Sequence, residues 1–256
     1  MDSMTMLRTP QGEPFALLGE KPAAPAPTVV ILGGDARCNL TEPHMIESGA
    51  LLREEHGFLC VSVDSPCEGD NRRPDEPACL PGWRARVDKG EDLVADFNRR
   101  VRSVLDHLVA ARCTDPLGVA FVGVSRGGFL ALHYAAADPR VRCVAAIAPV
   151  TDLRTLKEFA GLENDALTES LALIHRADHL AGRPVWLTIG DRDDRVGTDH
   201  TIALARRLSR RAVEKGLVPQ VFLHVVPAEG HKQPDGSHRL GASWVAARSR
   251  ETSRLP

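Results

Sequence analysis

The chain has 256 residues and a mass of 27.8 kDa, a length that suits a single α/β domain, here residues 1–256. Its 32 Lys and Arg residues nearly balance 34 Asp and Glu residues, and the formal net charge of −2 argues against nucleic acid or an anionic membrane as a partner. No uncharged apolar run is long enough to cross a bilayer, and the first ten residues lack the apolar centre of a signal peptide, so we expect a cytoplasmic protein.

The six cysteines are spread along the chain and form neither a C-x-x-C pair nor a metal-knuckle spacing. Cys60 and Cys143 lie in apolar runs, where a thiol behaves as a small hydrophobic group. Only Cys67 and Cys79 lie in one loop close enough in sequence to suggest a disulfide. In a cytoplasmic protein we expect all six to be free thiols.

A proline-rich connector, Lys21 to Pro27, ends an N-terminal segment covering residues 1–27, and apolar and amphipathic segments alternate beyond it. Most of the apolar runs are apolar throughout, which is typical of strands covered by helices on both faces. We therefore predict a mainly parallel, doubly wound sheet in a three-layer α/β/α arrangement. The predicted strands are 28–32, 58–63, 117–123, 141–148, 185–189 and 221–226, and the predicted helices are 43–55, 91–112, 127–137, 153–175, 199–215 and 238–249.

Two connections, residues 64–90 and 149–184, are longer than a parallel sheet requires. Both follow the carboxyl end of a predicted strand, which is the edge of an open α/β sheet where ligands bind. Long connections of this kind usually serve a function, so we expect them to form the walls or lid of a pocket. The alternative is that they are plain surface loops.

The motif with the clearest chemistry is Gly123-Val-Ser125-Arg-Gly127, a G-x-S-x-G sequence between a predicted strand and a predicted helix. Glycines two residues before and after the serine permit a tight turn that holds the hydroxyl above the sheet. The free N–H groups at the start of the helix face the place where a tetrahedral intermediate gains negative charge. Ser125 is therefore a candidate nucleophile, and the alternative is an ordinary strand-to-helix turn.

A serine nucleophile needs a base and an acid, which follow it along the chain in the order acid then histidine. Three aspartates, Asp191, Asp193 and Asp194, follow the fifth predicted strand, and His231 follows the sixth after Gly230. Carboxyl ends of parallel strands share one edge, so both loops lie on the side of Ser125. The other histidines considered fall within a strand, on helices or at their ends, where packed or solvated rings are expected: His56, His107, His133, His175, His179, His224 and His238.

These motifs resemble the α/β-hydrolase superfamily, in particular the esterases and peptidases similar to prolyl oligopeptidase and dienelactone hydrolase. The resemblance covers nearly the whole chain. Its G-x-x-D-x-x-V pattern, met by Gly190, Asp193 and Val196, implies that Asp193 is the acid. It also implies an oxyanion hole formed by the N–H of Arg126 together with that of Asp35 or Gly34. Many members of the family have His-Gly or several glycines in this loop, whereas this chain has Gly33-Gly34-Asp35.

The resemblance implies hydrolysis of carboxylic esters through an acyl-enzyme intermediate, without metal or cofactor. An oligopeptidase is the nearest alternative, but the resemblance associates those enzymes with a large extra domain before the catalytic one, and only residues 1–27 precede the first clear strand. Acyl transfer and a non-catalytic binding protein are further alternatives. The expected partner is a small-molecule ester, for which Trp83 and the Arg126 side chain are candidate contacts. The sequence does not predict the oligomeric state.

Overall fold

Eight strands form one sheet in the computed structural model, which describes residues 3–251. The sheet order is β1-β2-β4-β3-β5-β6-β7-β8. The first two strands run antiparallel to their neighbours, and β3 to β8 are mutually parallel. The strands are β1 (Met4–Arg8), β2 (Pro14–Leu18), β3 (Ala26–Leu32), β4 (Leu59–Ser62), β5 (Thr114–Val124), β6 (Val141–Ile147), β7 (Val185–Arg192) and β8 (Val221–Glu229).

Helices connect the parallel strands and cover both faces of the sheet, which confirms the predicted fold class. The α-helices are α1 (Ala36–Thr41), α2 (Pro43–His56), α3 (Cys79–Val87), α4 (Leu93–Ala110), α5 (Arg126–Ala137), α6 (Ala166–Ser170), α7 (Ala177–Leu180), α8 (Thr198–Glu214) and α9 (Ser237–Glu251). Short 3₁₀ turns cover Gly69–Asn71, Leu153–Thr155, Lys157–Phe159 and Leu173–Arg176.

Alternate residues of each central strand enter two separate cores. Phe121 of β5 packs on the face covered by α4, α5 and α8, whereas Ala120 and Val122 pack on the face covered by α1, α2 and α9. The Phe121 ring stacks on Tyr134 of α5 at 5.2 Å between centroids. Burial of a large apolar side chain contributes roughly 1.5–3 kcal/mol, so the two cores hold the parallel strand ends in fixed positions.

The predicted segment 1–27 contains two strands that the sequence analysis missed. Strand β1 is mostly exposed, and Gly12 turns the chain back at φ 87° into β2, which is largely buried. Strand β2 pairs with β4 and so extends the sheet beyond the parallel strands. The six predicted strands correspond to β3 through β8.

The long segments 64–90 and 149–184 are folded and packed rather than extended. Leu80 and Trp83 of α3, and Leu153 and Phe159 of the second segment, belong to the same core as Phe121. The continuous helix predicted for 153–175 is wrong, because the chain there forms separate short turns. Asp152 and Asp165 each start a new turn by accepting a backbone N–H, and Gly161 lies between them at φ +86°.

Candidate active site

The turn from β5 into α5 holds Ser125 in a conformation that side chains rarely adopt. Its backbone lies at φ 54° and ψ −117°, in a region that costs about 1–3 kcal/mol. The flanking glycines explain how the turn closes, since a Cβ on Gly123 would overlap the carbonyl of Gly127, and one on Gly127 would overlap the carbonyl of Leu32. The Ser125 N–H donates to the Ile147 carbonyl at 2.9 Å, which fixes the serine at the carboxyl end of β6 as well.

Ser125, His231 and Asp193 form a continuous chain of hydrogen bonds. The Oγ of Ser125 lies 2.9 Å from Nε2 of His231, and Nδ1 of the same ring lies 2.8 Å from Oδ2 of Asp193. The His231 side chain is 24% exposed and the Asp193 side chain is 0% exposed. The arrangement therefore places a base on the hydroxyl and a buried carboxylate behind the base.

The carboxylate of Asp193 is held by its own loop. Its Oδ1 accepts the N–H groups of Arg195 at 3.0 Å and Val196 at 3.2 Å. Burial raises the pKa of Asp193, but the hydrogen bond from His231 and these backbone donors outweigh it, so the pKa lies below its ordinary value. The Gly230 N–H donates to the Arg192 carbonyl at 3.0 Å, which joins the histidine loop to the acid loop.

The loop after β3 supplies one free backbone donor near Ser125. The Gly34 N–H donates to Oδ1 of Asn39 at 2.9 Å, so Gly34 is not available as an oxyanion donor, and that alternative is corrected. The N–H of Asp35 has no acceptor within residues 3–251. The Asp35 N–H therefore stays free, and an oxyanion hole formed by Asp35 and Arg126, the first residue of α5, stays a prediction.

Three side chains that the sequence analysis missed hold this loop. The Asn39 side chain bonds both the N–H and the carbonyl of Gly34, and the Ser65 hydroxyl donates to the Gly33 carbonyl at 3.3 Å. The buried carboxylate of Asp64 accepts the N–H of Ala36 at 2.7 Å. None of these residues lies in a recognisable motif, and no sequence signal identifies them.

The Arg126 side chain forms an ion pair with Glu68, from the 64–90 segment. The acid Asp194, by contrast, is exposed, and the neighbouring Arg195 pairs with Glu158 at 2.7 Å rather than with Asp194.

Trp83, the aromatic side chain proposed as a substrate contact, is buried in the core, as are two other large aromatic side chains. Trp83 is 0% exposed, its Nε1 donates to the Pro66 carbonyl at 2.7 Å, and its ring packs against Phe129 at 6.1 Å between centroids. Phe159 is 0% exposed and Trp186 is 2% exposed. The expectation that Trp83 contacts substrate is therefore corrected, because its polar atom and its ring are both satisfied inside the protein.

All six cysteines lie in the described part of the chain and are free thiols. Between residues 3 and 251, no three His, Cys, Asp or Glu side chains are grouped as a metal ion would require. No helix over the same range combines the length and apolar character needed to cross a membrane.

Comparison with known proteins adds sequence and structural relatives. "Hydrolyase poxO" of Penicillium oxalicum is 28% identical over 129 residues, which cover 50% of this chain and 28% of that protein, well under two thirds of its length. A cold-adapted esterase from an Arctic intertidal metagenomic library superposes with a TM-score of 0.67 at 18% identity, covering 96% of this chain and 92% of the other. A puromycin-hydrolyzing peptidase of Mycobacterium tuberculosis superposes with a TM-score of 0.71 at 15% identity, covering 100% of this chain and 40% of the other.

The structural relatives share the fold, and the family assignment comes from the sequence. Residues 84–248 match the model of the prolyl oligopeptidase family, a range that includes Ser125, Asp193 and His231. The resemblance seen in the motifs is thereby confirmed. The chain belongs to the prolyl oligopeptidase family of serine hydrolases.

Proposed function

We propose that this serine hydrolase cleaves carboxylic esters of small molecules through an acyl-enzyme intermediate. The observation that carries the proposal is the unbroken chain of hydrogen bonds from Ser125 through His231 to Asp193. The nucleophile, the base and the acid that orients the base lie at hydrogen-bond distance from one another. The N–H groups of Asp35 and Arg126 are the proposed oxyanion donors.

In the proposed reaction, His231 takes the hydroxyl proton through Nε2 as Ser125 attacks the ester carbonyl. Asp193 keeps the Nδ1 proton in place and stabilises the imidazolium. The N–H groups of Asp35 and Arg126 stabilise the oxyanion, and one such donor is worth roughly 10²–10³ in turnover. His231 then protonates the leaving alcohol, and water repeats the same steps to release the acid.

An oligopeptide amide is the second candidate substrate, because the family match and the peptidase likeness favour it. Peptide cleavage needs pockets that hold side chains on either side of the scissile bond. The aromatic side chains of the 64–90 and 149–184 segments, Trp83 and Phe159, are fully buried and unavailable for such pockets. Small esters need only a site for the reacting carbonyl and a few contacts beside it, so we favour them as substrates.

A substrate panel tests the choice. The purified protein is assayed with ethyl, glyceryl and p-nitrophenyl esters of acids of rising length, alongside aminoacyl and dipeptidyl p-nitroanilides. We expect the unactivated esters to be cleaved with a kcat/KM at least about 100-fold above that of the best amide. Ser125→Ala is the matched control and should lose on the order of 10⁴–10⁶ in turnover without a change in melting temperature. Preferred cleavage of the amides would make the protein a peptidase, and activity that survives Ser125→Ala would remove the nucleophile assignment.

A further inference from the structure

The Glu68–Arg126 ion pair lies next to the nucleophile but has no part in the mechanism above. The two side chains are 11% and 24% exposed, so they form part of a wall rather than a surface bridge. A Cβ on Gly34 would lie 3.5 Å from Nη2 of Arg126 and 3.8 Å from Oε2 of Glu68. The pair therefore lies against the oxyanion loop, beside the space that a bound ester must occupy.

The groups around this pair leave no surplus positive charge for an anion. The Asp35 side chain accepts the Cys38 N–H at 2.9 Å and lies on the same loop. The hydrogen bond to Asp35, followed by burial, raises the pKa of Cys38 to about 11. Burial, followed by a hydrogen bond to Glu68, raises the pKa of Cys79. Both thiols stay neutral and add no charge to the pair, in which the Glu68 carboxylate compensates the Arg126 guanidinium.

One part of the Arg126 guanidinium has no partner in the described chain. Its Nε is buried and donates no hydrogen bond to any of residues 3–251, although Nη2 is paired with Glu68. A buried donor without an acceptor is uncommon in folded proteins. The atom that faces Gly34 is Nη2, so a substrate oxygen on this side meets the guanidinium at the nitrogen that binds Glu68.

We propose that Glu68 and Arg126 form a charge-compensated polar wall that selects esters bearing a neutral hydroxyl group and rejects esters bearing a carboxylate, with Glu68 as the residue that sets this selectivity. The inference rests on the proposed function and names its substrate class. A hydroxyl group both accepts from Arg126 and donates to Glu68. A substrate carboxylate would have to displace Glu68 and approach Asp35, which is unfavourable for like charges in a partly dry site.

Under this proposal Arg126 does not bind a substrate carboxylate directly. Arginine binds carboxylates well because its planar fork matches two oxygens. In this structure Glu68 already occupies that role, so an anionic substrate meets a guanidinium whose charge is neutralised. Removing the Glu68 charge should make Arg126 available to an anion.

The experiment compares substrates of equal carbon number that end in a methyl, a hydroxymethyl or a carboxylate group. The acyl series is p-nitrophenyl hexanoate, 6-hydroxyhexanoate and the adipate monoester, and the alcohol series is the butyrates of 1-propanol, 1,3-propanediol and 3-hydroxypropanoic acid. The variants are Glu68→Gln and Arg126→Gln, the latter keeping the backbone donor. Glu91→Gln is the matched control, because it removes the same charge from a more exposed pair with Arg73.

For the unmodified protein we expect the hydroxyl compound to have the highest kcat/KM and the carboxylate compound the lowest, in at least one of the two series. Glu68→Gln should raise the carboxylate-to-neutral ratio about tenfold or more. Arg126→Gln should remove the preference for the hydroxyl compound, and Glu91→Gln should leave all ratios within twofold. Melting temperatures show whether each variant folds. If Glu68→Gln does not fold, Arg126→Gln alone decides the hydroxyl preference.

The rate at which Ser125 is labelled gives a second readout that does not depend on turnover. Hexyl and 5-carboxypentyl fluorophosphonates are compared on the same variants, and Glu68→Gln should favour the carboxylated probe by a similar factor. Unchanged ratios in both assays, with Ser125 labelled, would overturn the inference and leave the esterase proposal standing. Absence of both labelling and ester cleavage would instead overturn the proposed function, and the inference with it.

Discussion

Three aspartates, Asp191, Asp193 and Asp194, lie at the end of β7 or directly after it, and their burial and hydrogen bonds distinguish them. Asp193 is 2% exposed and bonded to His231, whereas Asp194 is exposed. Asp191 is also exposed and accepts the Ala228 N–H at 2.9 Å. Only the carboxylate of Asp193 can decide which nitrogen of the His231 ring carries the proton.

We expect Asp193→Asn to lower kcat by about 10⁴-fold, because an amide in this position favours the wrong tautomer of His231. Asp194→Asn is the matched control and should change kcat less than twofold. Initial rates with p-nitrophenyl butyrate measure both variants. Equal losses, or a larger loss in Asp194→Asn, would transfer the orienting role to Asp194.

Asn39 holds the oxyanion loop from both sides of Gly34 and is 0% exposed. Asn39→Ala should lower kcat by about 10- to 100-fold with little change in KM, because a loosened loop displaces the Asp35 donor from the position that the oxyanion takes.

The control for Asn39 is Thr28→Val, which removes a buried hydrogen bond to Thr114, of 2.9 Å, at the opposite end of β3. Both variants should lose roughly 1–3 kcal/mol in the free energy of unfolding. Stability is measured by urea titration and kcat by ester hydrolysis. A fall in kcat in both variants alike would mean that stability, and not the loop, controls the rate.

Residues with fixed roles in a motif could be predicted from sequence, and residues that act through packing could not. Ser125 and His231 stand beside glycines at strand ends, so spacing alone places them on one edge of the sheet. Asn39 and Glu68 reach the site only after α1 and the 64–90 segment have folded. Trp83 was misjudged because an indole in a loop region and an indole in the core have the same sequence signature.

The 64–90 segment owes its shape to a buried ion pair rather than to hydrophobic contacts alone. Arg86 and Glu76 are 4% and 7% exposed, and two guanidinium nitrogens contact the carboxylate at 2.5 and 3.0 Å. Arg86 also donates to the Asn71 carbonyl at 2.7 Å. The pair thus joins the first part of this segment, which carries Glu68, to helix α3 in its second part.

Arg86→Ala should destabilise the protein by about 3–5 kcal/mol, because it leaves the Glu76 carboxylate buried without a partner. Burial raises the pKa of Glu76, but the Arg86 hydrogen bonds outweigh it and lower the pKa to about 2. The stabilisation is therefore complete above the unfolded pKa near ~4.3 and is lost as the pH falls toward 2.

Urea titrations between pH 7 and pH 2.5 test this prediction, with Arg73→Ala as the control, since its pair with Glu91 is more exposed and worth about 0–1 kcal/mol after solvent screening. The difference in stability between the unmodified protein and Arg86→Ala should shrink below about pH 4.3. A constant difference across the range would show that the ion pair contributes through packing alone.

Helices and strands with a regular pattern of apolar residues could be predicted from the sequence. Elements that depend on tertiary contacts could not. Helix α4 shows a clear apolar face from Leu93 to Leu108, and an Asp92 cap that accepts two N–H groups starts it. The exposed strand β1 has no comparable pattern. It exists because β2 pairs with β4 and leaves an edge free for β1.

Across the whole molecule, two buried histidines lie on opposite faces of the sheet. His133 of α5 is 3% exposed, and its Nε2 bonds the Leu171 carbonyl at 2.9 Å, which joins α5 to the 149–184 segment. His238 of α9 is 5% exposed, and its Nδ1 lies 2.7 Å from the Ser48 hydroxyl of α2. Each ring joins two elements of one helical layer.

Burial lowers the pKa of His133 to about 3 and is also the main cause of the lowered pKa of His238. Below the unfolded pKa near ~6.5 the unfolded chain binds protons that the folded protein does not, so folding stability is full above that pH and falls below it. The free energy of unfolding should decrease by up to about 1.4 kcal/mol per pH unit for each ring between pH 6 and pH 5. This pH range lies above the pH range in which Glu76 is protonated.

The two replacements His133→Gln and His238→Gln keep a hydrogen-bonding side chain and remove the titration. We expect each to lose stability at pH 7 through imperfect packing, but to show a flatter dependence of the unfolding free energy on pH from 7 to 5. His200→Gln, on the exposed surface of α8, is the control and should keep the slope of the unmodified protein. Urea midpoints at half-unit pH steps measure the slopes. If the slope of His133→Gln equals that of the unmodified protein, the ring is protonated in the folded state, and its bond to the Leu171 carbonyl is then made by an imidazolium.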